Sequence, residues 1–322
     1  MASVLTSTDH LKLQILEYII TKSVTERLYR SVCMSNISID LVKELREKTQ
    51  VGMMDCKKAL VETDGDIEKA IDLLRKKGAA VAAKRAGNAL TNGRIECFVT
   101  PDFKQGALVE LGCETDFSAN TEDMKKFAVK VAQEATKLNV CDTDTLLSSS
   151  KDISNSHNEI LAKIAEKIEI SKIALFSVKG DNGVVNAYIH PGSSVGILIE
   201  LAVGDNAASK LEALKQAARD VCMHIAVTNP LCISPENLDP AILEKEKSIM
   251  MEQLKNSGKP ANIVEKIMLG KVNKYYEDVC LTKQKYIKDD QLSVEQYLNQ
   301  VGKQVGTAVS IKRFARFGIG GK

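Results

Sequence analysis

The 322-residue sequence contains no GxxxxGK[ST] phosphate loop, no GxGxxG after a strand, no HExxH and no GxSxG. The common sequence routes to nucleotide hydrolysis, dinucleotide binding, zinc proteolysis and serine hydrolysis are therefore missing. Histidine is scarce: His10, His157, His190 and His224 stand far apart, with no pair at helical ligand spacing. His224 falls on an apolar helix face, where a satisfied core histidine is commoner than a ligand. A nucleophilic cysteine beside His190 has no specific support. These gaps predict a protein that is not an enzyme and that holds neither a resident metal nor a cofactor.

A charge excess is lacking too. Lysine and arginine number 44 against 42 acids, a net charge of +2, so the broad basic field of a dedicated nucleic-acid binder is absent and DNA is not an expected partner. No apolar run is long enough to cross a bilayer, and no secretory leader is recognisable. The eight cysteines, 33, 56, 97, 113, 141, 222, 232 and 280, form no CxxC pair, which fits a reducing compartment. Residues 1–33 carry an amphipathic run from Leu11 to Ile20 that is similar to an organelle transit peptide, but Asp9, Glu17 and Glu26 oppose that reading. A start at Met34 is the alternative. Location is accordingly read as cytoplasmic, or mitochondrial or plastid if the extension is a transit peptide.

What is present is patterned. From Ile39 to Leu74 three short helices are expected, over 40–48, 54–63 and 66–77, with Gly65 ending the second and Asp66 capping the third. Residues 75–88 then read as a basic arm, solvated or bound to an acidic partner such as RNA through Lys76, Lys77, Lys84 and Arg85.

An internal repeat follows at a constant offset of ninety positions. Gly93, Pro101, Gly106, Leu108, Glu110 and Leu111 coincide with Gly183, Pro191, Gly196, Leu198, Glu200 and Leu201. Each copy reads as strand, turn, strand and helix, the helices covering 121–138 and 208–227. The fold class is α+β, with two related subdomains built on small antiparallel sheets. Beyond Pro240 come two helices, 241–256 and 261–281, broken at Ser257, Gly258, Lys259 and Pro260, which predicts an antiparallel hairpin. Its seam is expected at Ile242, Ile249, Leu254, Ile263, Ile267, Val272, Tyr275 and Val279. Protrusion and packing on the core are equally open. A helix at 293–302 and an edge strand at 307–317 completing the second sheet end the chain.

Two segments carry a resemblance. Leu45–Leu60, LREKTQVGMMDCKKAL, and Glu110–Asn120, ELGCETDFSAN, resemble the signatures of elongation factor Ts, and the likeness runs from Ile39 to Phe317. It implies a ubiquitin-associated-like three-helix module at residues 35–78 after an extension at 1–34. A basic linker at 79–92 and a core subdomain at 93–172 follow. A second subdomain takes 173–236 with 282–322, and a protruding coiled-coil hairpin takes 237–281.

The implied activity is guanine-nucleotide exchange on elongation factor Tu, with no direct nucleotide binding by this chain and no membrane partner. A homodimer or a two-to-two complex with the partner is also implied. Arg46, Thr49, Val51, Gly52, Met53, Met54 and Lys57 would contact the partner from the module. Thr115, Asp116, Phe117 and Ser118 would act near its Mg²⁺ and phosphate site. His190, Pro191 and Gly192 would make a further contact.

From the residues alone the Thr115–Ser118 turn has a second reading, in which Asp116 or Thr121 caps a helix and Phe117 folds inward. The chain departs from the family pattern at three places. Ser118 stands where an apolar residue is usual, Ser193 and Ser194 replace a Gly-Arg pair, and Gly112 replaces a bulkier strand residue. A ubiquitin-type or nascent-chain binding module and an RNA-binding accessory protein are the competing functional classes.

Overall fold

A computed structural model describes residues 37–49, 51–84, 87–180, 182–204, 211–255 and 260–321. The extension at 1–33, Arg85, and Ser257, Gly258 and Lys259 of the hairpin break lie outside them. The chain divides into two compact units: residues 1–87 with 155–166, and residues 88–154 with 167–322.

The first unit is built on α1 (Ile39–Thr49), α2 (Met53–Glu62) and α3 (Ile67–Lys84). Gly65, at φ +83°, closes the turn after α2 by donating its N–H to Leu60 O at 2.8 Å. Asp66 caps α3 by accepting from Lys69 N–H at 3.1 Å. Leu45, Cys56, Ala59, Leu60 and Ala70 are fully buried at the three-helix contact. Helix α3 runs seven residues past its expected end at 77, because the Ala- and Lys-rich arm supplies strong helix formers.

The second unit contains the repeat. Sheet one has the order β1 (Asn92–Val99), β2 (Gln105–Cys113), β3 (Ile168–Ser177). Sheet two has β4 (Gly183–Ile189), β5 (Val195–Val203) and the terminal β8 (Val309–Gly318), all antiparallel. The edge strand expected at the C-terminus is therefore in place.

Helix α5 (Glu122–Leu138), after the one-turn α4 (Asp116–Ala119), packs on β1 and β2, and α8 (Leu211–Thr228) packs on β4 and β5. Between β2 and β3 lie α6 (Thr143–Ser149) and α7 (Lys151–Ile164). The two sheets face each other through Ile95, Leu108, Phe176, Val185 and Leu198.

The ninety-residue repeat has a physical basis in reciprocal contacts. Val185 N–H donates to Phe103 O at 2.7 Å, and Ile95 N–H donates to Ser193 O at 2.8 Å, the same bond made from the other copy. Phe103 and Ser193 hold the same left-handed turn position, at φ 57° and 53°. A Cβ on Gly106 would meet Val185 Cγ1 at 3.1 Å, and one on Gly196 would meet Ile95 Cγ2 at 2.5 Å. At Gly196 a side chain would force the sheets or Ile95 to shift, and at Gly106 it would be tight. Each middle strand also carries a register shift at the repeated acid, Glu110/Leu111 and Glu200/Leu201. Glu110 accepts from Lys172 Nζ at 3.0 Å, while Glu200 accepts from Lys312 Nζ at 2.8 Å and Arg313 Nε at 2.5 Å.

Helices α9 (Pro240–Lys255) and α10 (Ala261–Val279) form the hairpin. Its seam departs from the expected one at three places. Ile242 and Ile249 on α9 and Ile263 on α10 are exposed, and the next residues, Leu243, Met250 and Val264, turn inward instead, while Leu254, Ile267, Val272, Tyr275 and Val279 are buried or half-buried as expected. Both heptads are apolar in the sequence, and Leu243 wins because it reaches Cys232, Leu238 and Cys280 at the root. The chain ends through the β6 (Lys285–Tyr286) and β7 (Asp289–Ser293) ribbon, α11 (Val294–Val305) and β8, with Ser293 and Gln296 forming a capping box. His224 on α8 is fully buried between Gln284 Oε1, at 3.0 Å from Nε2, and Ile287 N–H, at 3.3 Å from Nδ1. It is a satisfied core histidine.

Candidate functional site

Strand β2 delivers the chain into a tight bend before α5, and that bend is tied down on every side. The Glu114 carboxylate accepts from Lys167 N–H at 2.7 Å and Asn88 Nδ2 at 3.0 Å, and its carbonyl accepts from Asn92 Nδ2 at 2.9 Å. Thr115 is extended, and its hydroxyl accepts from Ser118 N–H at 3.3 Å to start α4. Asn120 Nδ2 donates to Asp116 O at 2.9 Å. Thr121 donates its hydroxyl to Ser118 O at 2.9 Å and caps α5 by accepting from Met124 N–H at 3.2 Å. These bonds leave the backbone of the bend little freedom.

Thr115 and Thr121 do the capping, so neither Asp116 nor Phe117 is needed for it. Phe117 is 83% exposed and Asp116 is exposed, its carboxylate without a hydrogen-bond or ion-pair partner among the described residues. The inward reading of the ring is thereby ruled out. Ser118 faces the other way, 5% exposed, with its Oγ accepting from Thr115 Oγ1 at 3.3 Å. An apolar side chain there would pack inward and would not lengthen a surface wedge.

The His190 turn is a second exposed bend. His190 N–H donates to Val195 O and Ser193 N–H donates to His190 O, both at 2.9 Å, with Gly192 at φ +89°. His190, Pro191 and Gly192 are exposed, and Tyr188 Oη lies 3.3 Å from His190 Nδ1. The two bends share one support that sequence reasoning missed. Arg94 donates to Ala119 O at the end of α4 (3.4 Å) and through Nε to Glu96 Oε1 (2.7 Å), which also accepts from Ser193 Oγ (3.3 Å). Arg94 and Glu96 are each 13% exposed. Opposite charges two apart on one strand face were the available signal.

Residues 114–321 match the family model described as Elongation factor TS. A Clostridium botulinum protein (strain Alaska E43 / Type E3) named Elongation factor Ts is 42% identical over 285 residues, 87% of this chain and 92% of that protein. Its namesake in Clostridium perfringens (strain SM101 / Type A) is 43% identical over the same shares. The chain belongs to the elongation factor Ts family. It is thus an elongation factor of protein synthesis, of the nucleotide-exchange class.

In this elongation factor Ts chain the first unit carries the other motif. Thr49 Oγ1 donates back to Leu45 O at 2.7 Å, ending α1, and Gly52 starts α2 without a side-chain cap. Arg46, Gly52, Met53 and Met54 are exposed, Met54 most of the two methionines, while Thr49 and Lys57 are half-buried. Val51 is 5% exposed and belongs to the module's core, where its carbonyl lies 3.5 Å from Cys56 Sγ. It lies beneath the Gly52–Met54 surface. Among the described residues no group of His, Cys, Asp and Glu is arranged to hold a metal ion, and no helix is long and apolar enough to cross a membrane.

Proposed function

We propose that this chain exchanges nucleotide on elongation factor Tu by pressing the Asp116–Phe117 bend into the partner beside its nucleotide-bound Mg²⁺. The observation that carries the reading is the exposed Phe117 ring on a bend held by the Thr115 and Thr121 caps. A ring left in water forgoes roughly 1.5–3 kcal/mol that burial contributes, and contact with a partner recovers it. Aromatic side chains on rigid supports are the usual anchors of protein interfaces.

Mg²⁺ needs near-ideal octahedral oxygen geometry, so small displacements around it weaken nucleotide binding strongly. Phe117 acts as the wedge and Asp116 as the polar contact that holds the displaced geometry. Gly52, Met53 and Met54 dock the first unit on the partner, with Arg46, Thr49 and Lys57 around them, and the His190–Gly192 bend makes the third contact. Coupling is reciprocal: a factor that loosens GDP is itself released by GDP. About 4 kcal/mol of coupling changes affinity roughly a thousandfold.

The test is release of a fluorescent GDP analogue from elongation factor Tu in Mg²⁺, with wild-type chain, Phe117→Ala and Asp116→Ala. Wild type accelerates release and both variants lose most of the acceleration. Release unchanged by the wild-type chain removes the reading, and full activity of both variants removes the wedge.

A further inference from the structure

The root of the hairpin is closed by a single parallel β-bridge between Cys232 and Cys280. Leu281 N–H donates to Cys232 O at 3.0 Å, and Leu231 N–H donates to Val279 O at 2.9 Å. The two sulfurs lie 3.5 Å apart, both free thiols, in a pocket shared with Leu238, Leu243, Tyr275 and Val279.

Paired strands stand ~4.8 Å apart, inside the Cα spacing of roughly 4.4–6.8 Å that disulfides span. Closing the sulfurs from 3.5 Å to about 2.05 Å calls for the two side chains to rotate toward each other. The bridge joins the segment entering α9 to the segment leaving α10, so a bond there closes the whole hairpin into a loop.

We propose that Cys232 and Cys280 form a reversible disulfide, a redox modification site that staples the two ends of the hairpin. The resting state is the dithiol, and the oxidant is a peroxide. Burial, then the neighbouring Cys232, push the Cys280 thiol up to about 12, which leaves it protonated and slow to react first. Cys232 retains 9% exposure and Cys280 none, so Cys232 is the attacking sulfur.

Its thiolate attacks the peroxide O–O bond. An S–O bond forms, and hydroxide leaves and takes up the proton that Cys232 released, giving one water and a sulfenic acid. Cys280 Sγ then attacks the sulfenic sulfur. An S–S bond forms, the S–O bond breaks, and the departing hydroxide takes the Cys280 proton to give a second water. Two thiols lose two electrons and two protons, and hydrogen peroxide becomes two waters. A small dithiol reverses the bond by exchange.

The experiment is stoichiometric hydrogen peroxide on the reduced full-length chain, alkylation of remaining thiols, non-reducing digestion and mass mapping. The expected product is a peptide pair joining Cys232 to Cys280, lighter than the two reduced peptides by two hydrogens and separated again by dithiothreitol. Oxidation of the exposed Cys141 in the same sample, with Cys232 and Cys280 both still alkylated, overturns the proposal. So does a link from either residue to a different cysteine. Cys232→Ser and Cys280→Ser each abolish the linked pair, and the wild-type peptide map is decisive even where a variant fails to fold.

Discussion

Gly196 and Ile95 touch so closely that a methyl group on the glycine would stand 2.5 Å from Ile95 Cγ2 and 2.9 Å from Leu108 Cδ1. Of the two repeat glycines that face the opposite sheet it is the tighter, its counterpart, Gly106 against Val185, being looser at 3.1 Å. The ordering makes a test. Gly196→Ala should destabilise the chain by about 1–3 kcal/mol through overpacking, and Gly106→Ala should cost less. Urea unfolding of both variants checks it; an equal loss would mean the sheets slide apart easily and the interlock is weak.

The ninety-residue repeat was readable because such glycines, with the turn prolines and the strand acids, are dictated by backbone approach and recur at one offset. The third strand of the first sheet was not readable. Its partner in the second sheet starts at Val309, and Ile168 plus ninety falls at Gly258 instead, because α6 and α7 separate β3 from β2 while the hairpin and α11 separate β8 from β5. Helix α6, sequence TDTLLSS, looks like a polar loop, and it forms because Asp142 accepts from Thr145 N–H at 2.8 Å at its start. On the candidate site, exposure of Phe117 was left open by pattern, since a ring after a strand and before a helix packs either way. The Thr115 and Thr121 caps decide it. The inward direction of Val51 and Ser118 was hidden for the opposite reason: both sit in motifs whose resemblance pointed outward.

Glu200 is 1% exposed, and its charge is met by Lys312 and Arg313, whose side chains are 58% and 43% exposed. Removing one basic partner leaves a buried carboxylate with half its support, while solvent screening at the cations limits the loss. Arg313→Ala should cost about 1–3 kcal/mol by the scale of charge-assisted bonds. Lys172→Ala, which strips the more exposed Glu110, should cost less. Chemical denaturation of the two variants at low and high salt reads both, and a larger loss at Lys172 would contradict the ranking.

His224 links stability to pH. Its Nδ1 accepts from Ile287 N–H, and the Nε2 proton is given to Gln284, so only the neutral ring fits, and burial holds its pKa below the usual 6.5 against the opposing pull of Gln284. The unfolded chain binds the proton more readily than the folded one. Stability from this group is therefore complete above pH 6.5 and is lost as pH falls, until the folded pKa is passed. The slope in that window is at most about 1.4 kcal/mol per pH unit. His224→Gln, which keeps a donor and an acceptor, should flatten the difference in urea midpoint between pH 7.5 and 5.5; an unchanged difference would place the titration elsewhere.

The proposed role of Phe117 can be tested apart from folding. Its ring lies 83% in water and the caps of α4 and α5 belong to Thr115 and Thr121, so Phe117→Ala removes no internal contact that the bend needs. Its unfolding free energy should stay within about 0.5 kcal/mol of wild type, the range of ordinary surface changes. Thr121→Ala should behave oppositely, losing about 1 kcal/mol with the cap while leaving the ring in place. Measured side by side, the first variant should lose nucleotide exchange at full stability if the ring is the proposed wedge, and the second should lose stability while keeping part of its exchange. If Phe117→Ala proves as destabilised as Thr121→Ala, the ring is part of the fold, and its loss of exchange would say nothing about a wedge.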